Sequence, residues 1–381
     1  MSVYLDYNAS TPIDERVLEA MIKAYRDFFG NADSRTHNHG ANARQEVEKA
    51  RESVASLLGV TKNEVIFTSG STESDNMAIQ GLRDYGIETG RKHIITTSIE
   101  HKAVLDTVKH LVVHDGFEAD FIDPDESGRI SAAQLLTKVR PNTLLVSVQH
   151  VNNETGIIQP IQEIGMALAE SSTFFHTDAT QSCGKLIEDL RSIKYDFLSL
   201  AAHKFYGPQG VGAFVMRRKN NKKPPIQPLV FGGGHENGYR PGTLPVALII
   251  GLGVASDLAQ REYKKRLAAY KKNKQAILSA IARIGVQHVT NGDQQYCMDN
   301  TLNISFNGID SEGLMIATKQ YCSISNGSAC TSNDYSPSYV LRAMGLPEER
   351  TESAIRLSWG VDPIDEKALA EMLTFAKGMQ E

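Results

Sequence analysis

Leu200-Ala-Ala-His203-Lys204-Phe-Tyr-Gly207-Pro208-Gln-Gly210-Val-Gly212-Ala-Phe-Val-Met216 is the stretch on which the reading of this chain turns. With Asp196-Phe-Leu-Ser before it, it reads as a short apolar strand, a His-Lys pair, a Gly/Pro-rich turn and a second strand from Gly212 to Met216. A lysine between two apolar strands either snorkels to solvent or loses its charge. Burial depresses its pKa toward the range where the neutral amine is a nucleophile that forms Schiff bases. Taken alone, Lys204 reads more simply as a solvated loop residue.

Two upstream stretches change that balance. In Phe174-Phe-His176-Thr-Asp178-Ala-Thr-Gln181-Ser182 an apolar strand ends in an aspartate, which puts a carboxylate at the sheet edge where open α/β folds bind ligands. By itself Asp178 serves equally well as a helix N-cap or turn residue. Val65-Ile-Phe-Thr68-Ser-Gly70-Ser71-Thr72-Glu-Ser-Asp-Asn76 reads as strand, small-residue turn and helix start. Thr72 offers a hydroxyl there, and Gly70 lets backbone amides approach an anion. An ordinary capped turn looks the same. Without GxxxxGK[ST] or GxGxxG, the turn is neither an ATPase loop nor a dinucleotide fingerprint. Phosphate turn, carboxylate and lysine, in that order, are what pyridoxal 5'-phosphate needs: a lysine on its carbonyl carbon and a carboxylate that keeps the pyridine nitrogen protonated.

The chain closely resembles the cysteine desulfurases, in the class V branch of the fold-type I pyridoxal-phosphate enzymes. The matching stretches are Tyr4 to Pro12, Thr68 to Asn76, Glu100-His101-Lys-Ala-Val-Leu, Asn152-Asn153-Glu154-Thr-Gly156 and Asp178-Ala-Thr-Gln181, then His203-Lys204, Gly232-Gly-Gly-His235, Arg240-Pro-Gly-Thr243, Ser328-Ala-Cys330 and Ile355-Arg356. They run from end to end. The resemblance implies that His101 stacks on the cofactor ring and moves protons, and that Gln181 and Asn153 contact cofactor oxygen and substrate. Gly70, Ser71, Thr72 and His203 hold the phosphate, and Thr243 of a partner subunit completes that cup, so the expected unit is a homodimer. Asn8 and Arg356 fall on the substrate side, with Arg356 pairing bidentately with a carboxylate. Cys330 is the nucleophile that receives sulfur from L-cysteine as a persulfide. One position departs from the pattern: a further phosphate-binding serine is common two residues before His203, and here it is Ala201.

Small polar residues around Cys330, from Asn326 to Pro337, predict a mobile loop with an exposed, reactive thiol. Cys183, close to Asp178, is the competing candidate and is read as structural, because the family nucleophile swings in from the small domain. Cys297 and Cys322 are read as inert. Four scattered cysteines without CxxC give no disulfide framework. The spacing after Cys330 matches the long-loop desulfurases, whose loop carries sulfur outward to an acceptor protein. The family serves iron-sulfur assembly, tRNA thiolation and DNA phosphorothioation. Some members continue into a C-terminal extension that docks the cluster scaffold; here the sequence stops at Met379-Gln-Glu381, which counts against that route and keeps phosphorothioation in view. A selenocysteine lyase-like enzyme, an aminotransferase and a non-catalytic acceptor-binding scaffold are the competing readings. An aminotransferase has no use for a thiol loop, and the intact Lys204, Asp178, His101, Cys330 and Arg356 speak against a scaffold.

The 381 residues exceed one usual core, so two domains are expected: a large cofactor-binding domain over 14–255, and a smaller α+β domain from 1–13 with 256–381 that carries the cysteine loop. Strands at Val65–Thr68, His93–Thr97, Ala119–Ile122, Leu144–Val148, Phe174–Thr177, Asp196–Leu200 and Gly212–Met216 alternate with helical patterns. They predict an α/β fold with a mainly parallel seven-stranded sheet flanked by helices. Thr11-Pro12 predicts a helix through Phe29, and an apolar stripe predicts another from Ala43 to Leu58, ended by Gly59. His37 and His39 lie in a polar loop with no further ligand at metal-site spacing, and no metal is expected. A formal net charge of −5 offers no basic surface for direct nucleic-acid contact, and neither a signal pattern nor a bilayer-length apolar run is present. A soluble, cytoplasmic protein is expected.

Overall fold

The computed structural model describes residues 2–218, 222–327 and 337–381; Cys330 lies outside them. The central sheet contains β2 (Val65–Thr68), β3 (His93–Thr97), β4 (Glu118–Ile122), β5 (Thr143–Ser147), β6 (Phe174–Asp178), β7 (Phe197–Ala201) and β8 (Gly212–Met216), in the order β2-β8-β7-β6-β5-β3-β4. Only β8 runs antiparallel to its neighbours. β2 therefore points the same way as the other five, and their carboxyl ends share one edge.

Six of the seven strands are buried along nearly their whole length because both faces are covered, whereas the edge strand β4 leaves Glu118 and Phe121 exposed. Phe67, Ile95, Val146, Leu198 and Val215 pack on one side with the helix Asn38–Leu58, whereas Ile66, Ile94, Leu145, Phe197 and Phe214 pack on the other with Met77, Ala78, Val104 and Val108. This is the period of two expected of a pleated strand.

A second core lies around three antiparallel strands in the order β12-β10-β9, where β9 is His288–Thr290, β10 Thr301–Phe306 and β12 Ala354–Ser358. Beside it β1 (Val3–Tyr4) pairs in parallel with β11 (Cys322–Ser323), so the N-terminal arm is held by residues from the far end of the chain. One helix, Val246–Ile284, joins the two cores: Ile249 to Ala259 belong to the first, and Tyr270 to Ile281 to the second. Among the described residues no helix is long and apolar enough to cross a membrane.

Local expectations needed correction in two places. The first helix spans Glu15–Asp27 and is capped by Asp14, whose carboxylate accepts from the Arg16 amide. Thr11 is drawn away by tertiary partners, accepting from the Tyr206 amide at 2.8 Å and donating to the His203 carbonyl at 3.0 Å. The second helix starts at Asn38 rather than Ala43, because the His37 ring accepts from the Gly40 amide and caps it. Gly59 ends that helix as expected.

Candidate active site

The strand ends converge on a cavity of about 380 Å³. β7 runs out at Ala201 into a turn that delivers His203 and Lys204. Lys204 Nζ donates to the carbonyls of Asn8 at 2.7 Å and Ala9 at 2.8 Å, so the N-terminal arm crosses the site at its lysine. Gly212, where β8 starts, lies against the phosphate turn: a Cβ there would come within 2.8 Å of the Gly70 Cα.

Asp178 closes β6, and its Oδ1 accepts from the Thr180 amide at 2.9 Å. Beneath it sit Asp75 and His176, both fully buried and 3.6 Å apart, neither singled out in the sequence. Burial, and then the Asp178 charge, push the Asp75 carboxyl well above the usual range, so its neutral form is favoured. Burial pushes the His176 imidazole down to about 3, and its two ring nitrogens meet the Ser147 and Ser199 hydroxyls at 2.8 and 3.0 Å. Asp178 is thus backed by groups whose neutral forms burial favours.

His101 caps the helix Lys102–Asp115, its Nδ1 accepting from the Ala103 amide. Ser71 and Thr72 reach the cavity at the start of the helix Ser71–Gln80, whose first amides have no side-chain cap among the described residues. A helix N-terminus open in this way attracts an anion. His203 meets the Ser10 hydroxyl at 3.2 Å, and its imidazole is pushed down to about 4 by burial, then by the charges of Lys204 and Lys185. Thr243 is exposed and does not line this cavity. Arg240 of the same motif does reach the phosphate turn, pairing with Glu73 at 2.9 Å.

On the opposite wall stands Arg356, from β12. Its Nη1 donates to the Asn153 carbonyl at 2.9 Å and its Nη2 to Asp6 at 2.6 Å, while Nε has no partner among the described residues. Asn8 links the two walls: its side chain donates to the Asn153 carbonyl and to Thr301, and its carbonyl also accepts from Gln181 Nε2.

The donor set fits pyridoxal 5'-phosphate. Gln181 Oε1 and Asn153 Oδ1 are buried at the cavity with no partner among the described residues. The uncapped helix start offers a phosphate site, Asp178 a partner for a protonated ring nitrogen, and Lys204 an amine for the carbonyl carbon. Lys185 is a group the sequence reading missed. It donates to the Gln181 carbonyl at 2.9 Å, and burial, then the Lys204 charge, push its pKa down to about 7. Cys183, Cys297 and Cys322 are buried thiols pushed up by burial to about 12, 11 and 12.

Residues 3–366 match the family "Aminotransferase class-V". A cysteine desulfurase IscS of Neisseria meningitidis serogroup C (strain 053442) is 44% identical over 358 residues, covering 94% of this chain and 87% of its own. Among solved structures, a NifS-like protein superposes with a TM-score of 0.90 at 35% identity, covering 100% of this chain and 99% of that one. DndA from Streptomyces lividans does so with 0.82 at 42%, covering 92% and 98%. The chain belongs to the class-V aminotransferase family and, within it, to the cysteine desulfurases, whose cofactor is pyridoxal 5'-phosphate.

Proposed function

We propose that this chain converts L-cysteine to L-alanine, holds the released sulfur as a persulfide on Cys330, and passes it to an acceptor protein. The observation that carries the reading is the meeting of Lys204, Asp178, His101 and Arg356 around one cavity, with Gly327, three residues before Cys330, on its rim. The acceptor belongs to iron-sulfur assembly, tRNA thiolation or DNA phosphorothioation. The division into a cofactor-binding part, 14–255, and a smaller part of 1–13 with 256–381 is included in the proposal.

Pyridoxal 5'-phosphate, when bound, supplies an electron sink conjugated with the substrate nitrogen. Arg356 turns its unpartnered Nε and an adjacent Nη to the substrate carboxylate. Lys204 removes the α-proton and later returns it, and His101 moves protons on the other side of the cavity. The Cys330 thiolate attacks the substrate sulfur. An S–S bond forms, the Cβ–S bond breaks, and its electron pair stays with the carbon skeleton. The substrate's thiol proton ends on Cβ, so carbon is reduced and sulfur oxidised by the same pair. Three buried thiols pushed well above neutrality leave Cys330 as the cysteine suited to this step.

The expected unit is a homodimer in which Thr243 of one copy completes the phosphate cup of the other. Phe29 and Phe231, 70% and 86% exposed, are large apolar side chains of the kind a partner subunit would cover. Mixing inactive Lys204→Ala with a Thr243→Val variant should restore part of the turnover; no restoration would remove the shared cup. For the reaction itself, alanine and sulfide are measured with and without Cys330→Ser. Loss of both supports the thiol route, and alanine at the wild-type rate would overturn it.

A further inference from the structure

Glu154 is a buried acid that the reaction described above does not use. It sits 1% exposed in the Asn152-Asn153-Glu154 turn, where its amide and that of Thr155 donate to the Asn152 side chain. It does not line the cavity that holds Lys204. It lines a neighbouring one of about 490 Å³, which shares His101, Asn153 and Gly327 with the first. Burial holds its carboxyl up at about 7, against the opposing pull of Ser338 and the charges of Arg356, His101 and Lys102.

Two residues far along the chain meet this carboxylate. Ser338 Oγ donates to Glu154 Oε2. Gly327 approaches the same oxygen so closely that a Cβ on it would lie 2.2 Å away, and its φ of +83° independently favours glycine. Gly327 and Ser338 stand on either side of Cys330 in the sequence. The upstream flank is also bridged to Arg356 through Ser325, whose backbone pairs with that of the arginine in both directions. On the downstream flank the Tyr339 hydroxyl donates to the Glu100 carbonyl at 2.6 Å, next to His101, and Val340 and Leu341 pack on Ile99. One carboxylate therefore stands where both flanks of the thiol segment, the substrate-side arginine and the turn before His101 come together.

We infer that Glu154 is a positioning residue for sulfur transfer: it bonds the downstream flank of the Cys330 segment through Ser338, abuts the upstream flank at Gly327, and so sets where the thiol is presented, without touching the substrate. The inference rests on Cys330 as the sulfur acceptor, and it assigns Glu154 an effect on the sulfur step rather than on cysteine binding. Glutamine keeps an oxygen that accepts from Ser338, whereas alanine removes the tie.

Glu154→Ala, Glu154→Gln and Ser338→Ala would be compared with wild type in two ways. In the holoenzyme, KM and kcat for L-cysteine and the single-turnover appearance of sulfur on Cys330 are measured. In the apoenzyme, the rate of Cys330 alkylation by iodoacetamide is followed by peptide mass spectrometry. Glu154→Ala should lower kcat and the sulfur step about tenfold, the size expected on losing a hydrogen bond to a charged group, with KM within about twofold. The same variant should change the alkylation rate severalfold. Ser338→Ala should shift both readouts in the same direction by about threefold, and Glu154→Gln should recover most of the loss. Unchanged kcat and alkylation in both Glu154→Ala and Ser338→Ala would overturn the inference, as would a raised KM at constant kcat, which marks a substrate contact. If Glu154→Ala does not fold, Ser338→Ala, which leaves the carboxylate in place, decides by the same criteria. Absence of sulfur on wild-type Cys330 would instead sink the functional reading, and the alkylation rates would still judge the tie.

Discussion

The two walls of the active site are built by different means. The cofactor wall consists of the ends of five strands in one sheet, which bring Thr72, His101, Asn153, Asp178 and Lys204 to a common edge. These five strands are buried on both faces, and the core fixes their ends as a whole, so no single contact decides where Lys204 stands. The sulfur wall is backed by a smaller core and a lighter scaffold. Arg356 comes from a three-stranded sheet, and Asn8 from an arm held by a two-residue strand. The flanks of the Cys330 segment are set by individual polar ties to Glu154, Glu100 and Arg356. On the proposed reading, cofactor chemistry rests on the larger sheet, whereas substrate and sulfur handling rest on the smaller sheet and a few side chains that substitution can separate from it.

The sharpest way to break this contrast is at the cofactor wall. Lys204→Ala should lose turnover by on the order of 10³ or more and leave nothing at that position for borohydride to reduce. A reducible adduct in the variant would put the attachment elsewhere. Cys330→Ser should lose sulfur release by on the order of 10² or more while keeping the cofactor absorbance and the spectral change on adding L-cysteine. If that spectral response vanished as well, the two walls would not be separable. Arg356→Lys keeps a charge but not the planar fork, and should raise KM about tenfold or more with a smaller loss in kcat. An unchanged KM would remove Arg356 from the carboxylate site.

The smallest effect lies under the cofactor wall, at Glu100. This fully buried acid has its pKa raised to about 8 by burial, although the Gln149 amide and the Thr97 hydroxyl bond to it. The folded protein therefore holds its proton more tightly than the unfolded chain. Its contribution to stability is fully present below the unfolded pKa and is lost as pH rises through about 8. The melting temperature should accordingly fall between pH 6 and 9, and Glu100→Gln should flatten that fall. An equal slope in both proteins would mean that Glu100 does not titrate there.

The same contrast explains what the sequence disclosed. The convergence of Asp178, Lys204 and Thr72 was legible because each follows an apolar run: Asp178 ends β6, Lys204 follows β7, and Thr72 follows β2 after a small-residue turn, whereas His101 and Asn153 were singled out through the family resemblance. None of the three stood out alone; their order along the chain is what raised them. Thr11 was misread as a helix cap because its partners, Tyr206 and His203, lie 195 and 192 residues away. Glu154 was quoted within a motif, yet its role depends on Ser338, 184 residues on. Asp75, His176 and Lys185 gain their character from burial beside other titratable groups, which no local pattern encodes. Lys185 also shows why burial alone does not identify a catalytic amine. It is more buried than Lys204, and both amines bond to backbone carbonyls, but only Lys204 lines the cavity.

The central claim is that sulfur leaves L-cysteine onto Cys330 while Lys204 and its neighbours work at carbon. The most direct test is peptide mass spectrometry after brief incubation of the holoenzyme with L-cysteine and no reductant, with alanine assayed in the same tube. The expected result is the mass of one sulfur atom added to the Cys330 peptide, none on peptides bearing Cys183, Cys297 or Cys322, and alanine in matching amount. Alanine formed while Cys330 stays unmodified, or sulfur found on one of the buried thiols instead, would contradict the account.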